Sequence, residues 1–252
     1  MTEQEYMQYK LTGSILTFTR YFFKKRFGRK FVVGEHHKKI CDTLDRVLKG
    51  EFKRVIINMP PRYGKTEVCV KNFIAAGLAI NPSSKFIHLS YSDDLALDNS
   101  EEVREFVKSE EYQSVFPYVQ IKKTSDAKKK WYTTCSGGVY ATSAAGQVTG
   151  FGAGNVDDEE LIKEVSMVES GGTALFGGAI IIDDPIKPED ATSTTIRERV
   201  NNRFDSTIVN RVNSRNTPII IIMQRLHPED LCGYLIDRDG SEWYVLSLPA
   251  LY

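Results

Sequence analysis

The sequence lacks any apolar run long enough to cross a bilayer. Runs such as Ala179–Ile182 and Ile219–Met223 hold four and five residues, against about 20 for a spanning helix. The N-terminus has no apolar stretch followed by a small-residue cleavage site, so no secretory signal is expected and the expected location is cytoplasmic. Cysteine is scarce. Cys41, Cys69, Cys135 and Cys232 are scattered without a C-x-x-C pair, which argues against both a disulfide framework and a zinc site. Charge of one sign is not in excess either: Lys+Arg and Asp+Glu each number 33. The strong basic surplus of a dedicated nucleic-acid binder is missing, so any DNA contact has to come from local patches or be transient. Repeats and low-complexity segments are absent as well.

What remains is an ordinary globular composition, 41% hydrophobic and 26% charged over 252 residues. That is room for one large domain or two small ones. Short β-branched runs alternate with helical segments. Arg54–Met59, Lys85–Ser90, Gly138–Ser143, Ala179–Ile182, Ile219–Met223 and Trp243–Leu248 read as strands. Lys65–Ile80, Asn99–Ser109, Ile196–Asn210 and Pro228–Ile236 read as helices. Continuous hydrophobicity marks strands buried on both faces, hence a mostly parallel sheet flanked by helices, an α/β fold with six or more strands. Residues 1–50 are expected to be a helical region beside a core spanning 51–252. Residues 122–130, with five lysines, are expected as a solvated loop or hairpin. Residues 153–178, with Asp157–Glu160, Gly171–Gly172 and Gly177–Gly178, are expected as a mobile insertion.

The chemistry concentrates after the first strand. Asn58-Met59-Pro60-Pro61-Arg62-Tyr63-Gly64-Lys65-Thr66 follows a strand and opens a helix, the context a phosphate-binding loop requires. Backbone N–H groups and the positive end of the helix point at phosphates. Lys65 can reach the β- and γ-phosphates of ATP, the Thr66 hydroxyl can hold Mg²⁺, and Gly64 lets the backbone approach closely. Pro61, Arg62, Tyr63, Gly64, Lys65, Thr66 and Glu67 form the expected nucleotide-binding set. Met59 stands where the usual pattern has its first glycine. A second signal lies at Asp183-Asp184, which end an apolar strand at the rim where ligands of open α/β folds bind. Asp183 fits a Mg²⁺-organising carboxylate, and Asp184 a base that polarises the attacking water. ATPases more often carry the longer Glu in that second place. The pair followed by Pro185 also suits a simple turn.

Several segments, in order, resemble those of the large terminase subunits of tailed double-stranded DNA bacteriophages. They are Pro60-Pro61-Arg62-Tyr63-Gly64-Lys65-Thr66, Ser90-Tyr91-Ser92 with Leu95-Ala96, Glu111-Tyr112 with Phe116-Pro117, Thr149-Gly150-Phe151-Gly152, Ile182-Asp183-Asp184-Pro185, and Met223-Gln224-Arg225-Leu226-His227-Pro228-Glu229-Asp230-Leu231. The resemblance runs from about residue 30 onward and implies a P-loop NTPase fold of the ASCE type. It implies an ATPase motor that drives duplex DNA into a procapsid, with ATP and Mg²⁺ as cofactors. The partners it implies are DNA gripped by its backbone, a portal protein, a small terminase subunit, and further copies in a ring docked on the procapsid in the host cytoplasm.

Individual roles follow from the same resemblance. Arg62 would sense the γ-phosphate or couple hydrolysis to movement. Gln224, with Arg225, would report on the γ-phosphate or the lytic water, while Arg225 and Asp230 read equally well as a structural ion pair. Phe31–His37 occupies the place that packs adenine, with Glu35, His36 and His37 where a glutamine is common. The cation supplied from the next subunit would be Arg104, Arg197, Arg199, Arg203, Arg211 or Arg215, or a lysine, since no arginine occurs between Arg104 and Arg197. The nuclease domain of that family is expected to be absent from this chain. The rival readings are a helicase-like translocase, a P-loop kinase and a non-enzymatic assembly protein. The Lys122–Lys130 and Tyr21–Lys30 clusters are candidates for DNA, portal or small-subunit contact, or simply solvated faces.

Overall fold

Isoleucine-rich runs that bury both faces need a layer of helices on each side, and the chain supplies them. A computed structural model describes residues 1–124, 127–146, 150–154 and 176–249. Three helices open the chain: α1 (Glu3–Thr12), α2 (Ile15–Phe27) and α3 (Glu35–Leu48). Strand β1 (Arg54–Asn58) leads through the phosphate-loop candidate into a π-helical stretch, Glu67–Asn72, that runs on as α4 (Phe73–Ile80). Next come β2 (Lys85–Ser90), α5 (Asp93–Lys108), the short α6 (Glu110–Gln113), β3 (Lys130–Tyr132) and β4 (Gly138–Ser143). Strand β5 (Ile180–Asp183), α7 (Thr194–Arg203), β6 (Ile219–Met223), α8 (Leu231–Asp239) and β7 (Tyr244–Ser247) complete the described order.

The seven strands lie in the order β3-β4-β2-β5-β6-β1-β7. All neighbours are parallel except β3 with β4. The loops after β1, β2, β5 and β6 therefore leave at one rim. Strand alternation then divides the isoleucines. Val55, Ile57, Ile181, Ile220 and Ile222 face the cluster built with α2 to α5, while Ile56, Ile180, Ile182, Ile219 and Ile221 face the cluster under α7 and α8. By the same alternation Asp183 points to the face that carries the phosphate-loop helix.

The first fifty residues share the core of the sheet. Phe18 and Phe22 of α2 pack with Phe106, Tyr112 and Phe116 at ring separations of 4.7–6.5 Å, inside the cluster that includes Val55 and Ile57. Helix α2 starts on the Ser14 side-chain cap and stops at Gly28, whose φ of 68° is the left-handed conformation glycine tolerates best.

The expected boundaries shift in three places. Helix α5 begins at Asp93, six residues before Asn99, and Asp93 and Asp94 supply negative charge to its first turn. Helix α8 begins at Leu231 because the Asp230 side chain accepts the Gly233 N–H as an N-cap, which leaves Pro228 outside it. The lysine-rich stretch ends in β3, whose Trp131 is fully buried and donates its indole N–H to Ser100. Most of the expected insertion, including Asp157–Glu160 and Gly171–Gly172, lies outside the described residues, as does Thr149. Its edges are anchored: Phe176 packs on Phe73 and Phe86, and Ala153 bridges to Val212.

Candidate active site at the sheet rim

The loop after β1 turns through two left-handed residues, Arg62 (φ 68°) and Gly64 (φ 76°), before helix begins at Lys65. Asp184 is left-handed too (φ 46°). Non-glycine residues rarely adopt this conformation, and each costs on the order of 1–3 kcal/mol unless its surroundings impose it. For Asp184 the surroundings are visible. Its N–H donates to Ile222 O (2.9 Å), and its carbonyl accepts the Tyr91 N–H (2.9 Å). The end of β5 is thus tied to β6 and to the loop after β2.

Around these turns the charged side chains converge. Lys65 Nζ donates to Asp184 Oδ1 at 2.6 Å. Thr66 Oγ1 donates to Asp183 Oδ2 at 2.7 Å. The Gln224 N–H lies 3.3 Å from Asp184 Oδ1. Lys65 and Asp183 are buried, whereas the Asp184 side chain is about a quarter exposed. Asp183 Oδ1 is buried with no hydrogen-bond partner among the described residues. Burial first, and the neighbouring Asp184 charge second, push the Asp183 carboxyl up to about 6.

An orphaned carboxylate oxygen beside a hydroxyl is half of a Mg²⁺ site. Among the described residues no group of three His, Cys, Asp or Glu could hold a metal by itself. Mg²⁺, however, is usually bound by one or two protein oxygens together with phosphates and waters. Thr66 and Asp183 fit that requirement, and a divalent cation would stabilise the ionised form of Asp183. Lys65, already neutralised by one carboxylate, has the charge and reach to take phosphate oxygens instead. Asp184 stands where it can accept a proton from water at the rim.

The other expected residues are placed less uniformly. Pro61 and Arg62 are exposed and Tyr63 is half-buried. The Glu67 carboxylate turns away from the loop, to Arg26 Nη1 (2.8 Å) and Asn72 Nδ2 (3.0 Å). Only its backbone is left to face a nucleotide, so the acidic side chain is part of the helix packing. Gln224 approaches the site through its N–H, a contact residue type could not have indicated. Arg225 and Asp230 form the structural pair: Asp230 accepts Arg225 Nε (3.0 Å) and the N–H groups of Leu226, His227 and Gly233. Arg197 is buried, donating to Ala191 O and Glu229 Oε2 (both 2.9 Å). Arg104 is buried between Glu101 and Glu105. Both are thus buried, whereas Arg199 and Arg215 are exposed.

In the Tyr21–Lys30 stretch, Phe22 is core and Arg26 is spent on Glu67 and the Phe106 ring. Lys24, Lys25, Arg29 and Lys30 remain exposed. Of the second cluster, Lys128 pairs with Glu101, while Lys122, Lys129 and Lys130 lie 5.4–5.9 Å from the Tyr132, Tyr140 and Phe151 ring centroids. In the adenine-side candidate, the Phe31 and His37 rings pack edge-on at 4.7 Å. His37 also touches the phosphate loop, through the Tyr63 carbonyl.

Strand β6 lies between the loop-bearing β1 and the acidic β5. With that insertion, a mostly parallel sheet and helices on both faces, the fold is that of a P-loop NTPase of the ASCE type. Among solved structures, the chain is similar to the large terminase of bacteriophage HK97. That match has a TM-score of 0.53 and 15% identity over 98% of this chain and 44% of that one. It is also similar to a structure of Dbp5 from S. cerevisiae bound to Gle1 and IP6, with a TM-score of 0.50 and 10% identity over 89% of this chain and 48% of that one. The chain thus spans less than half the length of either. No protein-family model and no curated protein matches it by sequence.

Proposed function

We propose that this chain is the ATP-hydrolysing motor domain of a viral DNA-packaging terminase, and that it drives double-stranded DNA into a procapsid. The observation that carries the catalytic half is the meeting of Lys65 with Asp184, and of Thr66 with Asp183, at one rim of a parallel sheet. In this reading ATP lies along the loop from Pro61 to Thr66, with its phosphates on Lys65. Mg²⁺ is held by Thr66 and Asp183. Asp184 takes the proton of the attacking water, and Arg62 and Gln224 respond to the loss of the γ-phosphate. The likeness to the HK97 terminase over nearly the whole chain supports the packaging half, together with the ordered motifs that resemble that family.

Working partners would be the duplex backbone, a portal protein, a small terminase subunit and further copies of the chain in a ring. The working place would be the host cytoplasm at the procapsid portal. Among the described residues no helix is long and apolar enough to cross a membrane. The comparable likeness to Dbp5 favours one second reading, a helicase-like nucleic-acid translocase. ATP turnover measured with linear duplex, with single strands and with neither separates the two. The packaging reading expects stimulation by duplex of any sequence and no strand separation. Stimulation by single strands alone, with duplex unwinding, would overturn it in favour of the helicase.

A further inference from the structure

We propose that His37 is a positioning residue that sets the shape of the phosphate loop by holding the Tyr63 carbonyl. The inference rests on the nucleotide-binding reading above and goes beyond it. His37 lies in the first turn of α3, is 8% exposed, and comes from a part of the chain with no phosphate chemistry of its own. Its Nδ1 accepts the Gly34 N–H at 3.0 Å. That nitrogen must therefore carry the lone pair, which places the proton of the neutral ring on Nε2. Nε2 lies 3.1 Å from Tyr63 O, a carbonyl to which it can only donate, and 3.2 Å from His36 Nε2. The ring cannot drift, because Phe31 packs against it and the His36 ring lies 3.9 Å away. Burial, and then the neighbouring His36, lower the His37 pKa and so favour this neutral form.

The consequence for the loop follows from peptide planarity. The Tyr63 carbonyl and the Gly64 N–H lie on opposite edges of one rigid plane. Drawing the carbonyl to α3 turns the Gly64 N–H away from α3, and the nucleotide reading uses that N–H for phosphate. The fit is close, since a Cβ on Gly64 would meet His37 Nε2 at 3.2 Å. Arg62 and Gly64, both left-handed, flank the held residue. The clasp thus fixes the middle of a strained turn from outside.

Two variants of similar volume test this: His37→Gln keeps a donor group and an acceptor on a single carbon, and His37→Met keeps no donor and only a weak acceptor. Mg²⁺-dependent affinity for a fluorescent ATP analogue, KM, kcat and the melting midpoint would be measured for each. The methionine variant is expected to bind about tenfold more weakly and to raise KM by a similar factor. Its kcat should be little changed, and glutamine should restore most of the loss. Equal affinity in wild type and the methionine variant would overturn the inference, as would losses in both variants that track the melting midpoint. Should the methionine variant not fold, the glutamine variant decides alone: near-normal affinity supports the clasp, and a tenfold loss at an unchanged midpoint overturns it. A wild-type chain that binds no Mg-ATP would instead remove the nucleotide reading itself.

Discussion

Two ion pairs lie along the same rim of the sheet and differ in how completely they are satisfied. Asp230, fully buried, is matched by the Arg225 guanidinium and three backbone N–H groups, and it caps α8. Both Asp230 oxygens are taken by these donors. Lys65 and Asp184 pair just as closely, yet beside them lie an unpartnered buried oxygen on Asp183 and left-handed residues at Arg62 and Asp184. A network that satisfies every donor and acceptor stabilises a fold, whereas one with strain and an orphaned carboxylate is built to take something up. On the proposed reading Asp230 serves stability and Asp184 chemistry, although both are aspartates at strand-to-helix turns.

Mutation can break that assignment, and the largest effect should come from Lys65→Ala. Removing the ammonium that pairs with Asp184 should reduce ATP turnover by at least about a hundredfold while the melting midpoint stays within a few degrees; normal turnover would end the assignment. Asp184→Asn should bind Mg-ATP as well as wild type does, because Lys65 is released from its partner. Its hydrolysis should be slower by about 10²- to 10⁴-fold, the usual range for loss of a general base. Wild-type turnover there would move the base elsewhere. Asp230→Ala should do the reverse. It should cost about 2–4 kcal/mol in chemical denaturation, from the lost cap and the N–H groups left unpaired, with kcat of the remaining folded protein near normal.

A smaller effect asks whether an orphaned buried atom is enough to mark function. His88, in the middle of β2, is fully buried, and its Nδ1 has no partner among the described residues. Burial lowers its pKa to about 4, against about 6.5 in the unfolded chain. Between those values the unfolded chain binds a proton that the native one does not. Stability should therefore be complete above about pH 6.5 and fall as pH drops toward 4, by about 2 kcal/mol at pH 5. Denaturation at pH 7.5 and pH 5 of wild type and His88→Leu would test it, since the variant should lose most of that slope. ATP affinity in the variant should not change. A change would mean that orphaned atoms away from the rim also report on the site.

The parts of this account legible in the sequence are those that adjacent residues encode. Strands β1, β2 and β6 were visible because burial on both faces demands unbroken apolar runs. Gly64-Lys65-Thr66 and Asp183-Asp184 were visible because phosphate and metal chemistry need those side chains in consecutive positions. Strand β3 was legible only as one of two alternatives, a loop or a hairpin, being three residues long at an edge and preceded by lysines. The π-helical stretch at Glu67–Asn72 leaves no mark on a helical period. The Glu67 carboxylate, part of an expected nucleotide-binding set, is held by Arg26 from a helix some forty residues earlier. The clasp of His37 on Tyr63 and the Gln224 N–H on Asp184 are likewise tertiary contacts, and residue type alone does not specify them. Left-handed backbone is uncommon for any non-glycine residue, for Arg62 more so than for Asp184, so it is set by the fold around them.

The most direct test of the central claim is calorimetric titration of ATP into the wild-type chain with Mg²⁺ and again with the metal chelated. If Thr66 and Asp183 hold the cation between loop and phosphates, binding will be saturable with Mg²⁺ and clearly weaker without it, and Thr66→Ala will lose most of that difference. Binding that ignores the metal, or none at all, would contradict the claim that these side chains meet in order to hold a magnesium-bound triphosphate.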